Sequence, residues 1–134
     1  MIQEYEDKFA LKVTVLGRSL NESWVPYSEN EYEHILLYTK GEDVLGFVQY
    51  MKLYETVEIL YIVVDEQYRR LGIGSEFIEH LSRDLDVSKM ILEVRASNEG
   101  AISFYERNGF RKVRPIKNYY KDGEDAISME KVIS

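Results

Sequence analysis

The chain has 134 residues, 45% of them hydrophobic and 31% charged, which is the composition of a globular protein long enough to bury a core. It contains no cysteine, and this excludes disulfides, thiolate catalysis and cysteine-based zinc sites. The net charge of −7 argues against a nucleic-acid partner, and no stretch approaches the ~20 apolar residues that a membrane span needs. We therefore predict one domain over residues 1–134, in the cytoplasm, without a nucleic-acid or membrane partner. The acidic charge also suits a basic partner, although acidity alone can serve solubility.

The N-terminal third permits more than one interpretation. Within residues 4–20, apolar side chains every three to four positions fit a helix, whereas the alternation between residues 9 and 15 fits a strand. The length and the charged start favour the helix. The polar stretch 21–30 is predicted as a loop, in which Trp24 belongs either to a lid over a site or to an anchor on the core.

A hairpin is the next predicted element. Residues 34–39 and 44–53 read as two strands around a polar turn, and residues 57–64 read as a third strand after a second turn. From Gly72 to about Leu85 the apolar residues fall on one helix face, formed by Ile73, Phe77, Ile78, Leu81 and Leu85.

The remaining elements are shorter. Residues 89–95 alternate as a strand, and Asn98 is a plausible N-cap for a short helix that stops at Gly109. Two final strands are predicted over 110–117 and 126–132. This order predicts an α/β protein with a central, mixed and mostly antiparallel sheet of about six strands, flanked by helices.

The stretch from Tyr61 to Ser75 organises the rest of the chain. It passes from an apolar strand through a polar loop with two glycines into an amphipathic helix. Free N–H groups and the positive dipole end at a helix start favour an anion, so the stretch predicts a phosphate site. A dinucleotide fingerprint would need a small residue where Phe77 stands, and a Walker A sequence is absent.

The spacing Arg69-x-x-Gly72-x-Gly74 in this context resembles the acyl-coenzyme-A signature of the GNAT acetyltransferase superfamily. The second half is more specific: Leu92-Glu-Val-Arg-Ala-Ser-Asn98 and the later tyrosine pair are similar to the RimI family. That family acetylates the N-terminal alanine of a ribosomal protein. The resemblance implies acetyl-CoA as co-substrate, no metal, and direct transfer to a primary amine, with a peptide or protein N-terminus as partner.

The resemblance also implies roles for two residues in catalysis. Glu93 matches the general base, and its alternative role is an ion pair with Arg95 on the same strand face. Tyr105 matches the general acid, with core packing as its alternative. A phenol with a pKa of about 10 is a weaker acid than a thiol near 8.5, so a hydrogen bond to the leaving thiolate is the safer role unless the site lowers the tyrosine pKa.

Binding residues follow from the same resemblance. The second substrate would contact Trp24, Glu58, Tyr119 and Tyr120, and neither histidine has the spacing of a metal ligand. The residues expected to bind the coenzyme are Ile62, Val63, Val64, Arg69, Arg70, Leu71, Gly72, Ile73, Gly74, Ser75, Asn98 and Tyr105.

Two departures from the family concern the acceptor. Tyr61 stands where the family usually has asparagine, and the segment between Asn30 and the first strand is too short for the usual second helix. The alternatives are therefore a GNAT enzyme for a small-molecule amine, or a non-catalytic module that binds acyl-CoA.

Overall fold

The computed structural model describes residues 1–28, 30–84 and 86–133. No helix within these residues is long and apolar enough to cross a membrane. In chain order the elements are β1 (Ile2–Glu4), a 3-10 turn (Asp7–Phe9), α1 (Ala10–Gly17), β2 (Glu33–Lys40), β3 (Asp43–Leu53), β4 (Thr56–Val64), a second 3-10 turn (Glu66–Tyr68), α2 (Ile73–Ser82), β5 (Lys89–Arg95), α3 (Glu99–Arg107), β6 (Arg111–Ile116) and β7 (Ala126–Val132).

The strands form one sheet in the order β1-β2-β3-β4-β5-β7-β6. Among the strand pairs of the described residues, only β4–β5 is parallel, so the prediction of a mixed, mostly antiparallel sheet is confirmed. The sheet has seven strands where about six were expected. The additional strand, β1, has three residues on the sheet edge and is too short to show a periodicity.

The N-terminal helix is shorter than the predicted span of residues 4–20. It occupies Ala10–Gly17, because the residues before it form β1 and a 3-10 turn. A Cβ atom at Gly17 would lie 1.9 Å from Cε3 of Trp24, so the chain needs glycine where the loop folds back on the helix. Among the described residues between α1 and β2 there is no second helix, as the short segment predicted.

Two apolar cores lie on opposite faces of the sheet. The larger core lies on the face covered by α2 and α3, which we call the α2 face, and includes Phe77 and Met90. The smaller core lies on the α1 face, where α1 and the following loop pack against Leu37, Phe47 and Val63. These three residues pair across β2, β3 and β4, so α1 covers only one end of its face.

A β-bulge in β4 changes which side chains share a face. Leu60 is the extra residue, because Gln49 pairs with Tyr61 while the next residue of β3 pairs with Ile59. Val57 before the bulge is buried in the α2-face core, and Ile62 after it packs against the same core. Glu58 and Tyr61 are three positions apart, yet the bulge places both on the α1 face.

The second half follows the prediction closely. Strands 89–95 and 126–132 have the predicted bounds, and Asn98 caps α3 by accepting a hydrogen bond of 3.1 Å from the Ala101 amide. Gly109 ends that helix with a φ of +92°. The helix from Gly72 was expected to reach about Leu85, but α2 ends at Ser82, and Leu85 lies outside the described residues.

Candidate active site

An opening in the sheet separates β4 from β5. The two strands pair only over Thr56–Glu58 and Lys89–Ile91, and beyond that point β4 bonds to β3 alone while β5 bonds to β7 alone. The segment 62–64 therefore presents a backbone edge to the opening without a partner strand. Unpaired backbone groups beside an opening are available to hydrogen-bond an extended ligand.

The glycine loop lies at the start of α2, directly after β4. Gly72 has a φ of +83°, and the helix begins at Ile73 without a side-chain cap, so its first N–H groups have no intrahelical partner. A left-handed residue followed by right-handed ones forms a concave nest of N–H donors. A Cβ atom at Gly72 would meet no atom within 4 Å, so the positive φ, not crowding, is what favours glycine here.

Gly74 is required for packing. A Cβ atom there would lie 2.8 Å from Cζ of Phe104 on α3 and 3.8 Å from Cγ2 of Ile62 on β4. The start of α2 therefore sits close against both α3 and β4, beside the opening. This contact explains the glycine at position 74 without a ligand.

The two arginines of the loop differ in conformation. Arg69 donates a hydrogen bond of 3.3 Å from Nε to the carbonyl oxygen of Val64, which ties the loop to the end of β4. Arg70 has a φ of +67°, an uncommon value outside glycine. The capping role of Asn98 is confirmed. The coenzyme contacts of Leu71 and Asn98 remain predictions.

An acidic groove lies on the α1 face, at the end that α1 does not cover. Glu58 and Glu93 meet there with Tyr119 and Tyr120, four residues that the sequence analysis had selected. The cavity has a volume of about 390 Å³ and is lined by Glu33, Gln49, Glu58, Ile59, Leu60, Tyr61, Glu93, Tyr119 and Tyr120. No lysine or arginine is among these lining residues.

The electrostatics of this groove favour a cation. Burial, the charge of Glu93 and a hydrogen bond to the Glu93 side chain together raise the pKa of Glu58. Burial, and then the charges of Glu93 and Glu58, raise the pKa of Tyr119. Two adjacent carboxylates in a partly buried site repel each other, and a bound ammonium group would relieve this repulsion.

The alternative role of Glu93, an ion pair with Arg95, is wrong. Arg95 instead pairs with Asp122 at 2.8 Å and Glu124 at 2.9 Å, and its guanidinium lies 4.1 Å from the ring centroid of Tyr120. These contacts fix the loop that carries the groove tyrosines. This role leaves no local sequence pattern, because the partners lie about thirty positions further along the chain.

Tyr105 lies on the other side of the opening, on α3. Its ring packs edge-on against Phe104 and Phe110, with centroids 5.1 and 5.4 Å away, so the packing role is real. Burial raises the pKa of Tyr105 to about 12. The site in this state does not lower the tyrosine pKa, and full proton transfer from Tyr105 to a thiolate would be uphill by about 3.5 pKa units, or about 5 kcal/mol.

Trp24 is an anchor on the core, and the lid interpretation is wrong. Its ring stacks on Phe47 at 4.9 Å, and its indole Nε1 donates to Oε1 of Gln49 at 3.2 Å. The Gln49 Nε2 in turn donates to Oε2 of Glu33 at 3.4 Å. Trp24 was predicted to contact the acceptor, but it lies behind the groove and is not among the residues that line it. Gln49 and Glu33, which Trp24 supports, do line the groove.

The opening between the two parallel strands and the uncapped helix start thus place an unpaired strand edge beside a set of free backbone N–H groups. The model of the Acetyltransferase (GNAT) family matches residues 2–110, most of the chain. The chain therefore belongs to the GNAT acetyltransferase family, and the predicted family and fold are confirmed.

Two relatives and one solved structure refine the comparison. The chain is 36% identical over 116 residues to the ribosomal protein bS18 alanine N-acetyltransferase of Escherichia coli K12, covering 81% of this chain and 78% of that enzyme. It is 41% identical over 75 residues to the N-alpha-acetyltransferase of Sulfurisphaera tokodaii, covering 53% of this chain and only 45% of that relative. The crystal structure of the E. coli S18-alanine enzyme matches with a TM-score of 0.78 at 30% identity, over 100% of this chain and 94% of that one. The resemblance to the RimI family is thereby confirmed.

Proposed function

We propose that this protein transfers an acetyl group from acetyl-CoA directly to the N-terminal α-amine of a peptide or protein. The observation that carries the proposal is the position of the carboxylate pair Glu58 and Glu93. The pair lies in a groove on one face of the sheet, where the strands part, and the glycine loop lies beside the same opening on the other face. A donor bound on one face can therefore meet an amine bound on the other.

The coenzyme would bind along β4 and the start of α2. The N–H groups at residues 72–75 suit a pyrophosphate, because several donors at a helix start bind a dianion without basic side chains. The free edge at residues 62–64 offers backbone hydrogen bonds to the pantetheine arm. A backbone N–H on this edge would also stabilise charge that develops on the thioester oxygen.

Glu93 would accept a proton from the incoming amine, directly or through one water molecule. An α-amine has a pKa of about 7.7–8.0, against about 10.4 for lysine, so a substantial fraction is already neutral near pH 7.5. A carboxylate is therefore a sufficient base for an α-amine. Glu58 would hold the ammonium form in the groove before it loses this proton, since its carboxyl is adjacent to Glu93.

Tyr105 would donate a hydrogen bond to the departing thiolate. The raised pKa favours this role over full proton transfer, because a phenol near 12 keeps its proton at neutral pH. The tyrosines at 119 and 120 would contact the acceptor backbone with their rings and hydroxyl groups.

An alanine N-terminus is the preferred acceptor in this proposal, with a ribosomal protein as the specific candidate. The similarity to the bS18-alanine enzyme supports this choice. The shape of the groove favours a peptide over a small-molecule amine, which would suit a closed pocket. The groove adjoins a second cavity, and Glu33 and Gln49 line both.

The test is coenzyme A release across a panel of acceptors, with mass spectrometry to locate the acetyl group. We expect acetyl on the α-amine of Ala-initiated peptides, and little on Ser- or Met-initiated peptides, lysine side chains or polyamines. Turnover of polyamines or lysine side chains without Ala-initiated peptides would contradict the proposed acceptor and favour the small-amine alternative. Binding of acetyl-CoA with no turnover of any amine would favour the non-catalytic module.

A further inference from the structure

Tyr61 lines the acidic groove but takes no part in the transfer proposed above. The bulge at Leu60 pairs Tyr61 with Gln49 of β3, so its side chain lies on the α1 face. Without the extra residue, the alternation of the strand would place position 61 on the opposite face. The ring is 40% exposed, so it forms a wall of the groove that a ligand can contact.

The strand register places Tyr61 across the opening from Glu93. Where β4 and β5 still pair, Glu58 is level with Ile91. Tyr61 lies two register steps beyond Glu58, because the bulged residue Leu60 adds no step. Glu93 also lies two residues beyond Ile91, on the other strand. Tyr61 and the proposed base therefore stand at the same level on the two sides of the opening, and both line the groove.

Tyr61 also lies between the carboxylate pair and the strand edge proposed for the coenzyme. Along β4 it is about 7 Å from Glu58 and directly precedes residues 62–64. The side chain of Ile62 packs against the core of the α2 face, so the Tyr61 ring occupies the α1 face at the start of this edge. An amine that leaves Glu93 for a thioester on the edge therefore passes the ring of Tyr61.

A fixed neighbour supports the ring on the side of β3. Gln49, the cross-strand partner of Tyr61, is only 9% exposed. Its side-chain oxygen accepts a hydrogen bond from Trp24 at 3.2 Å, and its side-chain nitrogen donates to Glu33 at 3.4 Å. Because both ends of this amide have partners, Gln49 does not turn aside easily to make room for the Tyr61 ring.

Tyr119 bounds the same space from the loop between β6 and β7. Tyr61 contributes to the raised pKa of Tyr119, after burial and the charges of Glu93 and Glu58, so the two phenols lie near each other. The two rings and the two carboxylates thus surround the place of an acceptor's first residue. An apolar wall discriminates by size, since one methylene group too many or too few changes kcat/KM by about tenfold or more.

We propose that Tyr61 determines which first residue an acceptor can carry, because its ring limits the space for the first side chain opposite Glu93. This inference rests on the proposed acetylation of a peptide α-amine and names the residue that sets its preference for alanine. The amine contacts Glu93, the peptide chain leaves along Tyr119 and Tyr120, and the first side chain meets the Tyr61 ring. A methyl group fits in this space, and longer side chains collide with the ring.

The test uses peptides that differ only in the length of the first side chain, from alanine through 2-aminobutyrate and norvaline to norleucine. For the wild-type protein we expect kcat/KM to fall about tenfold or more from alanine to norvaline. Tyr61→Ala enlarges the space, so kcat/KM for the norvaline and norleucine peptides should rise about tenfold relative to the alanine peptide. Tyr61→Phe keeps the ring and should keep the wild-type ratios.

Tyr54→Ala is the matched control. It removes the same ring from the turn between β3 and β4, where the side chain is 89% exposed and outside the groove. This variant should keep the wild-type ratios of the four peptides. Thermal melts show whether each variant is folded, and the ratio between two peptides does not depend on the fraction of active enzyme.

The outcomes separate the two proposals. Equal kcat/KM for all four peptides with the wild-type protein would overturn the role of Tyr61 and leave α-amine acetylation standing. A Tyr61→Ala variant that keeps the wild-type ratios would also overturn it, since another residue would then set the preference. Wild-type ratios lost in Tyr61→Phe would assign the selection to the hydroxyl group and contradict a limit set by the ring. If no peptide is acetylated at its α-amine, the proposed function fails, and the role of Tyr61 fails with it.

Discussion

The two faces of the sheet differ sharply at the opening between β4 and β5. On the α2 face, two helices cover the sheet. The loop between β4 and α2 offers free backbone N–H groups there, after Gly72 in its left-handed conformation. On the α1 face, β4 and β5 carry the carboxylates of Glu58 and Glu93, and the loop between β6 and β7 adds Tyr119 and Tyr120. No lysine or arginine is among the described residues that line this groove. One face thus provides neutral backbone donors for an anion, and the other provides side-chain charge for a cation. The division suggests that donor and acceptor bind from opposite sides.

The largest expected effect is on the acidic face. Glu93→Gln removes the proposed base without changing the side-chain volume, and we expect kcat to fall about 100- to 1000-fold. Steady-state kinetics with an Ala-initiated peptide measure this, and circular dichroism checks the fold. A second acid of the groove, changed as Glu33→Gln, is the matched control and should leave kcat within a few fold. Equal losses in both variants would mean that groove charge matters but that Glu93 is not the base.

Tyr105→Phe tests the other side of the opening. The ring packing against Phe104 and Phe110 is retained, so only the hydroxyl is lost. We expect kcat to fall about tenfold or more, with the KM for the peptide unchanged. Because burial raises the pKa of Tyr105 to about 12, the pH profile of kcat between pH 7 and 10 should not reflect its titration. A kcat equal to that of wild type would reduce Tyr105 to core packing.

Arg95 offers a test of how the acceptor groove is held in shape. Arg95→Ala removes the ion pairs to Asp122 and Glu124 and the contact with the ring of Tyr120. We expect the KM for the peptide to rise about tenfold, with a smaller change in kcat and none in the KM for acetyl-CoA. Arg95→Lys should recover part of the loss through its charge. A rise in the KM for acetyl-CoA instead would contradict this role, because it would mean that Arg95 shapes the coenzyme site and not the acceptor groove.

Gly72→Ala tests the backbone nest on the α2 face. An alanine at a φ of +83° costs about 1 kcal/mol or more, and the loop relieves this strain by changing shape. We expect the KM for acetyl-CoA to rise about fivefold. Gly41→Ala is a matched control, because Gly41 also has a positive φ and open space around it but lies in the β2–β3 turn. It should lower stability similarly and leave the KM for acetyl-CoA unchanged.

The smallest expected effect concerns the pH dependence of stability. The pKa of Glu58 is raised in the folded state, so the folded protein loses stability as the pH rises from the unfolded pKa towards the folded one. Glu58→Gln should therefore raise the melting temperature at pH 7.5, with the difference fading at about pH 4. Thermal melts at the two pH values measure this. A variant that is less stable than wild type at pH 7.5 would contradict the predicted repulsion between the two carboxylates.

The α2 face was predictable from the sequence, because its features are local. The helix start at Gly72, the N-cap at Asn98 and strand 89–95 each depend on residues a few positions apart. The acidic groove was predictable in part. Glu58, Glu93 and the tyrosine pair came from the family resemblance, whereas Glu33 and Gln49 are brought in by pairing across three strands.

Two further features could not be predicted for the same reason. The bulge at Leu60 places Tyr61 in the groove, but a one-residue insertion leaves no signal in the alternation of β4. The partners of Arg95 depend on where the chain returns after β6. Trp24 was expected to contact the acceptor from the family resemblance, but the structure buries it as an anchor on the core, which is the other role that its polar loop had left open.

The assignment of donor and acceptor to opposite faces can be tested directly by NMR chemical-shift mapping. Coenzyme A and an Ala-initiated peptide are titrated separately, so no turnover occurs. Coenzyme A should shift the amides of residues 62–64 and 69–75, and the peptide should shift those around Glu33, Gln49, Glu58, Tyr119 and Tyr120. If both ligands shifted the same set, or if the peptide shifted the α2 loop alone, the proposed transfer through the opening would be contradicted.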